Sequence, residues 1–194
     1  MAQSIAAEPE TKRASVYGLA LRILLVGWFV ALAVRQLRSD EFEFSIVHGI
    51  LFGVHELGHL VMALFGNEVM TALGGSLFQV LLPIGCIALM AQRRDRYGIA
   101  ICGCILAYSL GQVGVYIADA RAESLDLVSM SSEGATHDWN FILESWGMLK
   151  RDAAIGRAVK DIGWLVLGAS VVLALVECRA LWSGKPAPSI MERA

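Results

Sequence analysis

Five long apolar runs dominate this sequence and limit the folds that it can form. They cover residues 17–34, about 44–65, about 69–91, about 98–118 and about 161–176. At 1.5 Å per residue, a helix of about 20 apolar residues crosses the roughly 30 Å hydrocarbon core of a bilayer. Because backbone groups in lipid must be hydrogen-bonded internally, the runs predict an all-α, polytopic membrane bundle of about five transmembrane helices.

The third run is the least regular of the five. Gly74, Gly75, Gln79 and Pro83 interrupt it, and such residues are typical of broken or re-entrant elements that are buried in protein. We therefore expect either a full crossing or a broken element here. The glycines and Gln79 also have two open interpretations. They form either a helix-packing pair with a satisfied amide, or a surface that a substrate backbone approaches and hydrogen-bonds.

Composition agrees with a membrane protein and excludes one that binds nucleic acid. Hydrophobic residues make up 56% of the 194 residues and charged residues 18%, against roughly 45–50% and about 25% in an average soluble domain. The formal charge of -2 supplies no basic field that would attract a polyanion. All four cysteines lie inside apolar runs, so we expect them to pack as small hydrophobic residues without disulfides.

The predicted bundle occupies most of the chain. We expect a mobile N-terminal tail over residues 1–16, a transmembrane bundle over residues 17–178 and a C-terminal tail over residues 179–194. The bundle includes one sizeable extramembrane loop at 121–160. Five alternating crossings would divide the Lys and Arg residues almost evenly between the two sides, so the positive-inside rule gives no orientation.

The strongest chemical signal is the motif His55-Glu56-Leu57-Gly58-His59 in the middle of the second run. Residues four apart lie on one face of a helix, so both imidazoles can bind a single zinc ion. The glutamate between them can act as general base toward a water molecule that the metal activates. Two histidines and a glutamate are costly in lipid unless they face a polar cavity or an ion. A hydrogen-bonded polar interface between helices is the alternative.

A catalytic zinc site needs a third protein ligand and an open position. His137 is the first candidate. If the third element spans, the second and fourth helices run parallel, so the loop after the fourth helix emerges on the side nearest His59. Asp119 is the second candidate and Asp138 the third. Thr136 or Asp138 is also expected to cap the short amphipathic helix that begins in this segment.

The fourth run carries one polar stripe, formed by Ser109, Gln112, Tyr116 and Asp119 at helical spacing. Polar residues on one face of a transmembrane helix usually point into the protein, so we expect them to line a hydrated cavity. Asp119 has two other interpretations besides ligation. It orients a histidine, or it pairs with an arginine such as Arg121.

With HELGH in a transmembrane helix and a Gly- and Pro-interrupted span after it, the sequence resembles the site-2-protease-like intramembrane zinc metalloproteases over about residues 44–119. By position, the resemblance implies zinc on His55 and His59, Glu56 as catalytic base, and peptide bonds in or beside the bilayer as the substrate. Those proteases usually take a third ligand from an aspartate followed by glycine, whereas Asp119 is followed by Ala120. The segments HELGH, GGSLFQ, YIADAR and HDWN are more similar to a group of small uncharacterised bacterial membrane proteins with an HExxH motif. That similarity implies the bacterial inner membrane.

The leading expectation is an integral-membrane zinc metallohydrolase, in the first instance a protease. Its zinc would be held by His55, His59 and His137, with Glu56 as the catalytic residue. One alternative is a non-catalytic structural or accessory subunit of a membrane complex that retains the HExxH site. A second is a zinc-dependent hydrolase of lipids or amides. The expected partners are membrane lipids together with a transmembrane peptide substrate or a larger membrane complex.

Overall fold

Helices make up nearly all of the described chain. A computed structural model describes residues 8–125 and 137–183, with side chains described from residue 16 onward. The helices are α1 (Glu8–Arg38), α2 (Ile46–Ala63), α3 (Glu68–Gln92), α4 (Arg96–Ala118), α5 (Asp138–Ser145) and α6 (Asp152–Ser183), the last preceded by a 3₁₀ turn at Leu149–Arg151. Within α1, α2, α3, α4 and α6 lie five segments that are long and apolar enough to cross a membrane. The prediction of an all-α bundle with five such helices is confirmed.

Side-chain caps fix where three of these helices begin. Ser45 Oγ accepts the backbone N–H of His48 at 3.0 Å at the start of α2. Asn67 and Asp95 do the same for α3 and α4, at 2.9 and 2.8 Å. Each cap pairs a backbone donor that the helix itself leaves unsatisfied. The first and the last helix are longer than predicted, since α1 begins at Glu8 and α6 runs to Ser183.

The central helix of the bundle is α4, and α1 runs parallel to it. Near the start of both helices, Tyr97 donates a hydrogen bond of 2.7 Å to the carbonyl oxygen of Arg22. Gly111 of α4 and Gln36 of α1 lie equally far along their helices from that hydrogen bond. They are also in contact, because a Cβ added to Gly111 would be 2.9 Å from Gln36 Cγ. The last long helix, α6, is antiparallel to α4, because its Glu177 pairs with Arg96 at 2.9 Å. The start of α1 and the end of α6 therefore lie at the same end of the bundle.

The second helix, α2, also runs parallel to α4. Ser45 lies 3.1 Å from the Tyr108 hydroxyl, and three residues further along α2 His48 is hydrogen-bonded to Gln112. Consecutive helices α1 and α2 thus point in the same direction, which corrects the simple alternation that five consecutive crossings would give. The expectation that α2 and α4 are parallel is confirmed, and it brings the chain after α4 close to His59.

The backbone of the linker between α1 and α2 is hydrogen-bonded to side chains of α1 and α4. Gln36 is fully buried; its amide donates to the Glu41 carbonyl at 3.0 Å and accepts from the Glu43 N–H at 2.8 Å. Tyr108 donates to the Glu43 carbonyl. Irregular backbone at membrane depth is tolerated where protein groups pair it in this way. The irregular element of the bundle is therefore this linker.

The third helix, in contrast, is continuous from Glu68 to Gln92 and contains Pro83. Its glycines bring it close to α2, since a Cβ added to Gly74 would lie 2.5 Å from the Gly58 carbonyl oxygen. Close approach of helix backbones through small residues is a recurrent packing mode in membranes. The helix-packing interpretation of this glycine pair is the one that the structure supports. All four cysteines have free thiols, as expected, and their side chains are buried or half-buried.

The glycine contact gives a test of the α2–α3 packing. Gly58→Ala should lower the free energy of unfolding by roughly 1–3 kcal/mol, because the new Cβ would lie 2.7 Å from the Gly74 carbonyl carbon. Gly53→Ala in the same helix is the matched control, since nothing lies within 4 Å of a Cβ there. It should be neutral or stabilising by up to about 1 kcal/mol. Denaturant titration of both variants in detergent measures the difference, and equal midpoints would contradict the described contact.

Candidate metal centre

Two histidines of α2 and one aspartate of α5 converge at one point. Asp138 Oδ2 lies 3.3 Å from His55 Nε2 and 3.2 Å from His59 Nε2. The three ligand atoms all lie within 4.8 Å of one another. The one-turn spacing in HELGH places the two imidazoles, as predicted, and α5 supplies the carboxylate from a distant part of the chain. This group could hold a metal ion.

The other ring nitrogen of each histidine is committed to a hydrogen bond. His59 Nδ1 lies 2.8 Å from the carbonyl oxygen of Thr71, which can only accept, so Nδ1 carries the proton. His55 Nδ1 lies 3.1 Å from Oε1 of Gln79. In a neutral ring this arrangement leaves the lone pair on Nε2. Such partners typically fix the tautomer and the orientation of histidines that bind metals.

Neutral rings in these tautomers direct lone pairs at a carboxylate oxygen, so acceptors face one another. Only a proton or a metal cation between them makes that contact favourable. Around a tetrahedral zinc ion, bonds of about 2.0–2.2 Å put neighbouring ligand atoms roughly 3.3–3.6 Å apart. The three ligand atoms here all lie within 4.8 Å of one another. The separations of 3.2 and 3.3 Å between Asp138 and the two rings are close to that range.

Gly75 gives the two rings the space that they need. A Cβ added there would lie 2.5 Å from His59 Nε2 and within van der Waals radii of the His55 ring. The imidazoles therefore rest against the backbone of α3. Gly75 and the carbonyl of Thr71 were not predicted as parts of the metal centre. The glycine was visible in the sequence as an interruption, whereas a backbone carbonyl leaves no signal there.

Asp138 is held in place by Tyr116 of α4. The Tyr116 hydroxyl donates to Asp138 Oδ2 at 3.1 Å and accepts from the Asp138 backbone N–H, also at 3.1 Å. A hydrogen bond of 3.0 Å from Trp139 to Ser76 fastens α5 to α3. Burial by itself would raise the pKa of Asp138, but the adjacent imidazoles of His55 and His59 hold it well below its usual range. Asp138 is therefore a carboxylate, the form that binds cations.

His137, the first candidate for the third ligand, is not a member of this group. It is the N-cap of α5, where its Nδ1 accepts the backbone N–H of Asn140 at 3.2 Å. Its Nε2 lies 3.4 Å from Asp119 Oδ2. Capping holds the His137 ring in this position. The next residue, Asp138, directs its carboxylate at His55 and His59 of α2. The geometry thus favours Asp138 as third ligand. The cap of α5 is His137 and not Asp138, and Thr136 lies outside the described residues.

Asp119, the second candidate, fastens the chain that follows α4. Its carboxylate accepts from the backbone and hydroxyl of Ser124 at 3.0 and 2.6 Å and from the Leu125 N–H at 3.1 Å. Burial raises the pKa of Asp119, but these hydrogen bonds outweigh burial and lower it. Of the two other interpretations of Asp119, the structure shows contact with a histidine, which is His137. Arg121, the expected ion-pair partner, pairs instead with Asp152 at 2.7 Å.

The polar stripe of α4 faces the interior, as predicted, with all four side chains buried. Gln112 continues the hydrogen-bond chain that starts at the metal centre. Its Oε1 accepts from Gln79 Nε2 at 2.9 Å, and its own Nε2 is bonded to His48. Gln79 is thus a satisfied amide whose oxygen orients His55, so of its two interpretations the structure supports the first.

A cavity of about 1500 Å³ opens beside the three ligand atoms. Glu56, the predicted catalytic base, lines this cavity together with His55, His59 and Asp138. Within the described chain, three protein ligands surround the candidate centre. A three-ligand centre facing a cavity has room for a water molecule or a substrate, which is typical of catalytic sites and differs from the closed four-ligand sites that serve structure.

No family model, no curated protein and no solved structure gives a significant match to this chain. The functional argument therefore depends on the residues and on their geometry.

The choice between Asp138 and His137 can be tested by metal content. Asp138→Asn keeps the shape of the side chain but removes its charge, so it should weaken zinc binding by at least roughly a hundredfold. His137→Asn is the matched control, because asparagine is a good N-cap and should leave one zinc per chain. Competition with a chelating dye measures both affinities. Loss of zinc from the His137 variant alone would contradict the observed ligand set.

Gln79 is not a ligand, but its hydrogen bond orients His55, so replacing it should weaken metal binding. Gln79→Leu should reduce zinc affinity by roughly 10–100-fold, as is typical for partners of metal-binding histidines. Ser109→Ala serves as control, since it removes a buried 3.1 Å hydrogen bond to the Gln79 backbone and spares the amide. Both variants should lose similar stability. Equal zinc affinities would show that Gln79 only packs the helices.

Proposed function

We propose that this protein is an integral-membrane zinc metallohydrolase that cleaves peptide bonds in or near the bilayer. The observation that carries the proposal is the ligand triad His55, His59 and Asp138 beside a cavity that Glu56 also lines. Two histidines and one carboxylate form a common catalytic zinc set. The five apolar helices are compatible with a membrane protein, and we place it in the bacterial inner membrane.

The chain's own residues divide the chemistry between them. Zinc held by such a triad lowers the pKa of a water molecule and polarises a carbonyl group. Glu56 accepts a proton from the attacking water and passes it to the leaving nitrogen, as the C–O bond forms and the C–N bond breaks. Gln79 and the Thr71 carbonyl keep the imidazoles oriented. Tyr116 holds the Asp138 carboxylate by donating to the same oxygen that faces the histidines.

Two features favour hydrolysis over a non-catalytic role in a membrane complex. A structural site is closed by four protein ligands, whereas three protein ligands surround this centre within the described residues. A structural site also needs no cavity, and about 1500 Å³ lies beside the ligand atoms. An aspartate as third ligand agrees in residue type with the site-2-protease-like enzymes that the sequence resembles, whereas Asp138 is followed by Trp139 and not by glycine.

The proposal is tested by replacing the base and leaving the metal in place. Glu56→Gln should keep one zinc per chain and reduce hydrolysis by at least roughly 10²–10⁴-fold, because the amide cannot accept the proton. The assay incubates the reconstituted protein with a library of membrane-segment peptides in H₂¹⁸O. New carboxyl termini that carry ¹⁸O are then counted by mass spectrometry.

Glu41→Gln is the control for that experiment, because Glu41 is exposed and does not line the cavity. It should hydrolyse like the unmodified protein. Undiminished hydrolysis by Glu56→Gln would exclude Glu56 as the base. Zinc binding without ¹⁸O incorporation from any peptide would favour the non-catalytic alternative.

A further inference from the structure

The cavity follows α2 over nearly its whole length. The 18 residues of α2 extend about 27 Å. One stripe of this helix lines the cavity, and it includes His48, Phe52, His55, Glu56, His59 and Ala63. The cavity continues at one end to the α1–α2 linker and at the other to the turn between α2 and α3. The metal centre lies between these two ends, so a bound chain would extend in both directions from it.

The two ends of the cavity differ in chemistry. Phe42, Phe44 and Phe52 line the end next to the linker. Glu68, Glu123 and Glu144, all exposed, line the opposite end, and we name them the acidic rim. The lining contains no lysine or arginine among the described residues.

The charges of the rim have no ion-pair partner in the part of the chain that the structure describes. None of the three glutamates takes part in an ion pair of the described chain. A zinc ion with two neutral histidines and Asp138 would carry one net positive charge, and Glu56 offsets that charge. The rim therefore gives its end of the cavity a negative potential, and fields of this kind in a cleft select ligands by charge.

We propose, on the basis of the proposed function, that the substrate is a peptide segment with a basic flank. Its apolar residues lie at the aromatic end, and a lysine or arginine lies at the acidic rim. The distance along α2 from the centre of the HELGH turn to His48 is roughly 14 Å, which accommodates about four residues of extended chain. We therefore expect the cleaved bond to lie about four residues from the part of the apolar stretch that binds at the aromatic end, in the direction of the basic flank.

Charge also separates this substrate from a lipid. Phospholipid headgroups carry a phosphate, which the acidic rim repels, so the rim disfavours the lipid-hydrolase alternative. The flanks of membrane-spanning segments, by contrast, are rich in lysine and arginine on one side of the membrane. A segment of that kind presents an apolar stretch and a basic group in the order that the cavity requires.

The test measures binding, so it does not depend on turnover. The zinc-loaded Glu56→Gln protein is placed in phosphatidylcholine nanodiscs, which contribute no net charge. Two fluorescent peptides share one apolar stretch and end in three lysines or in three glutamates. Fluorescence anisotropy gives the dissociation constant of each, with empty nanodiscs as background. We expect the lysine peptide to bind more tightly, and the preference to weaken at high salt.

Charge reversal of the rim identifies the residues responsible. Glu68→Lys combined with Glu144→Lys should reduce the preference roughly three- to tenfold, as expected for exposed charge pairs. Asp161→Lys is the control, because Asp161 is an exposed acid of α6 that does not line the cavity. It should leave the preference unchanged, and both variants should keep one zinc per chain.

Four results would overturn the inference. They are equal binding of the two peptides, preference for the glutamate peptide, no binding of either, and a preference that the rim variant retains. The proposed function has a separate readout, because zinc content and ¹⁸O incorporation do not depend on the flank of the peptide. A protein that hydrolyses peptides without regard to charge would therefore refute only the basic flank.

Discussion

The arrangement around the centre depends on one electrostatic constraint: two imidazole lone pairs and a carboxylate oxygen face one another inside an apolar bundle. Acceptors so placed repel unless a cation lies between them. The surrounding residues maintain this arrangement rather than relieve it. Gln79 and Thr71 fix the protons on the far side of the rings, while Tyr116 turns Asp138 toward them. Buried polar networks with partners assigned in this way are costly in lipid and are retained for function.

The same constraint accounts for the unusual topology at the start of the bundle. The histidines must reach α5, which follows α4, so α2 has to run parallel to α4 with its HELGH turn near the end of that helix. The linker after α1 must then join two helices that point in the same direction. Gln36 and Tyr108 make this tolerable by pairing its backbone. An irregular segment at this depth also leaves a space beside α2, where the aromatic end of the cavity lies.

The helices and the core of the site followed from the sequence for clear physical reasons. Apolar length predicts spans because lipid permits few alternatives, and HELGH places two imidazoles on one face through helical geometry alone. Contacts between distant segments were less accessible. The glycines of α3 indicated an interruption, but whether they break a helix or admit a neighbour depends on Gly58 of α2. The direction of α2 relative to α1 depended on hydrogen bonds from Gln36 to the linker, which apolar periodicity does not encode.

The choice of the third ligand shows where prediction from the sequence stops. His137 and Asp138 are adjacent, and both have side chains that can cap a helix or bind a metal. One residue of difference in where α5 begins rotates the side chains by about 100° around the helix axis. The histidine accepts the N–H of Asn140 in the first turn of α5, and the aspartate, placed inside the helix, meets the hydroxyl of Tyr116. Because Tyr116 both accepts from the backbone of Asp138 and donates to its carboxylate, α4 selects the register of α5 and, with it, the chemistry of the centre.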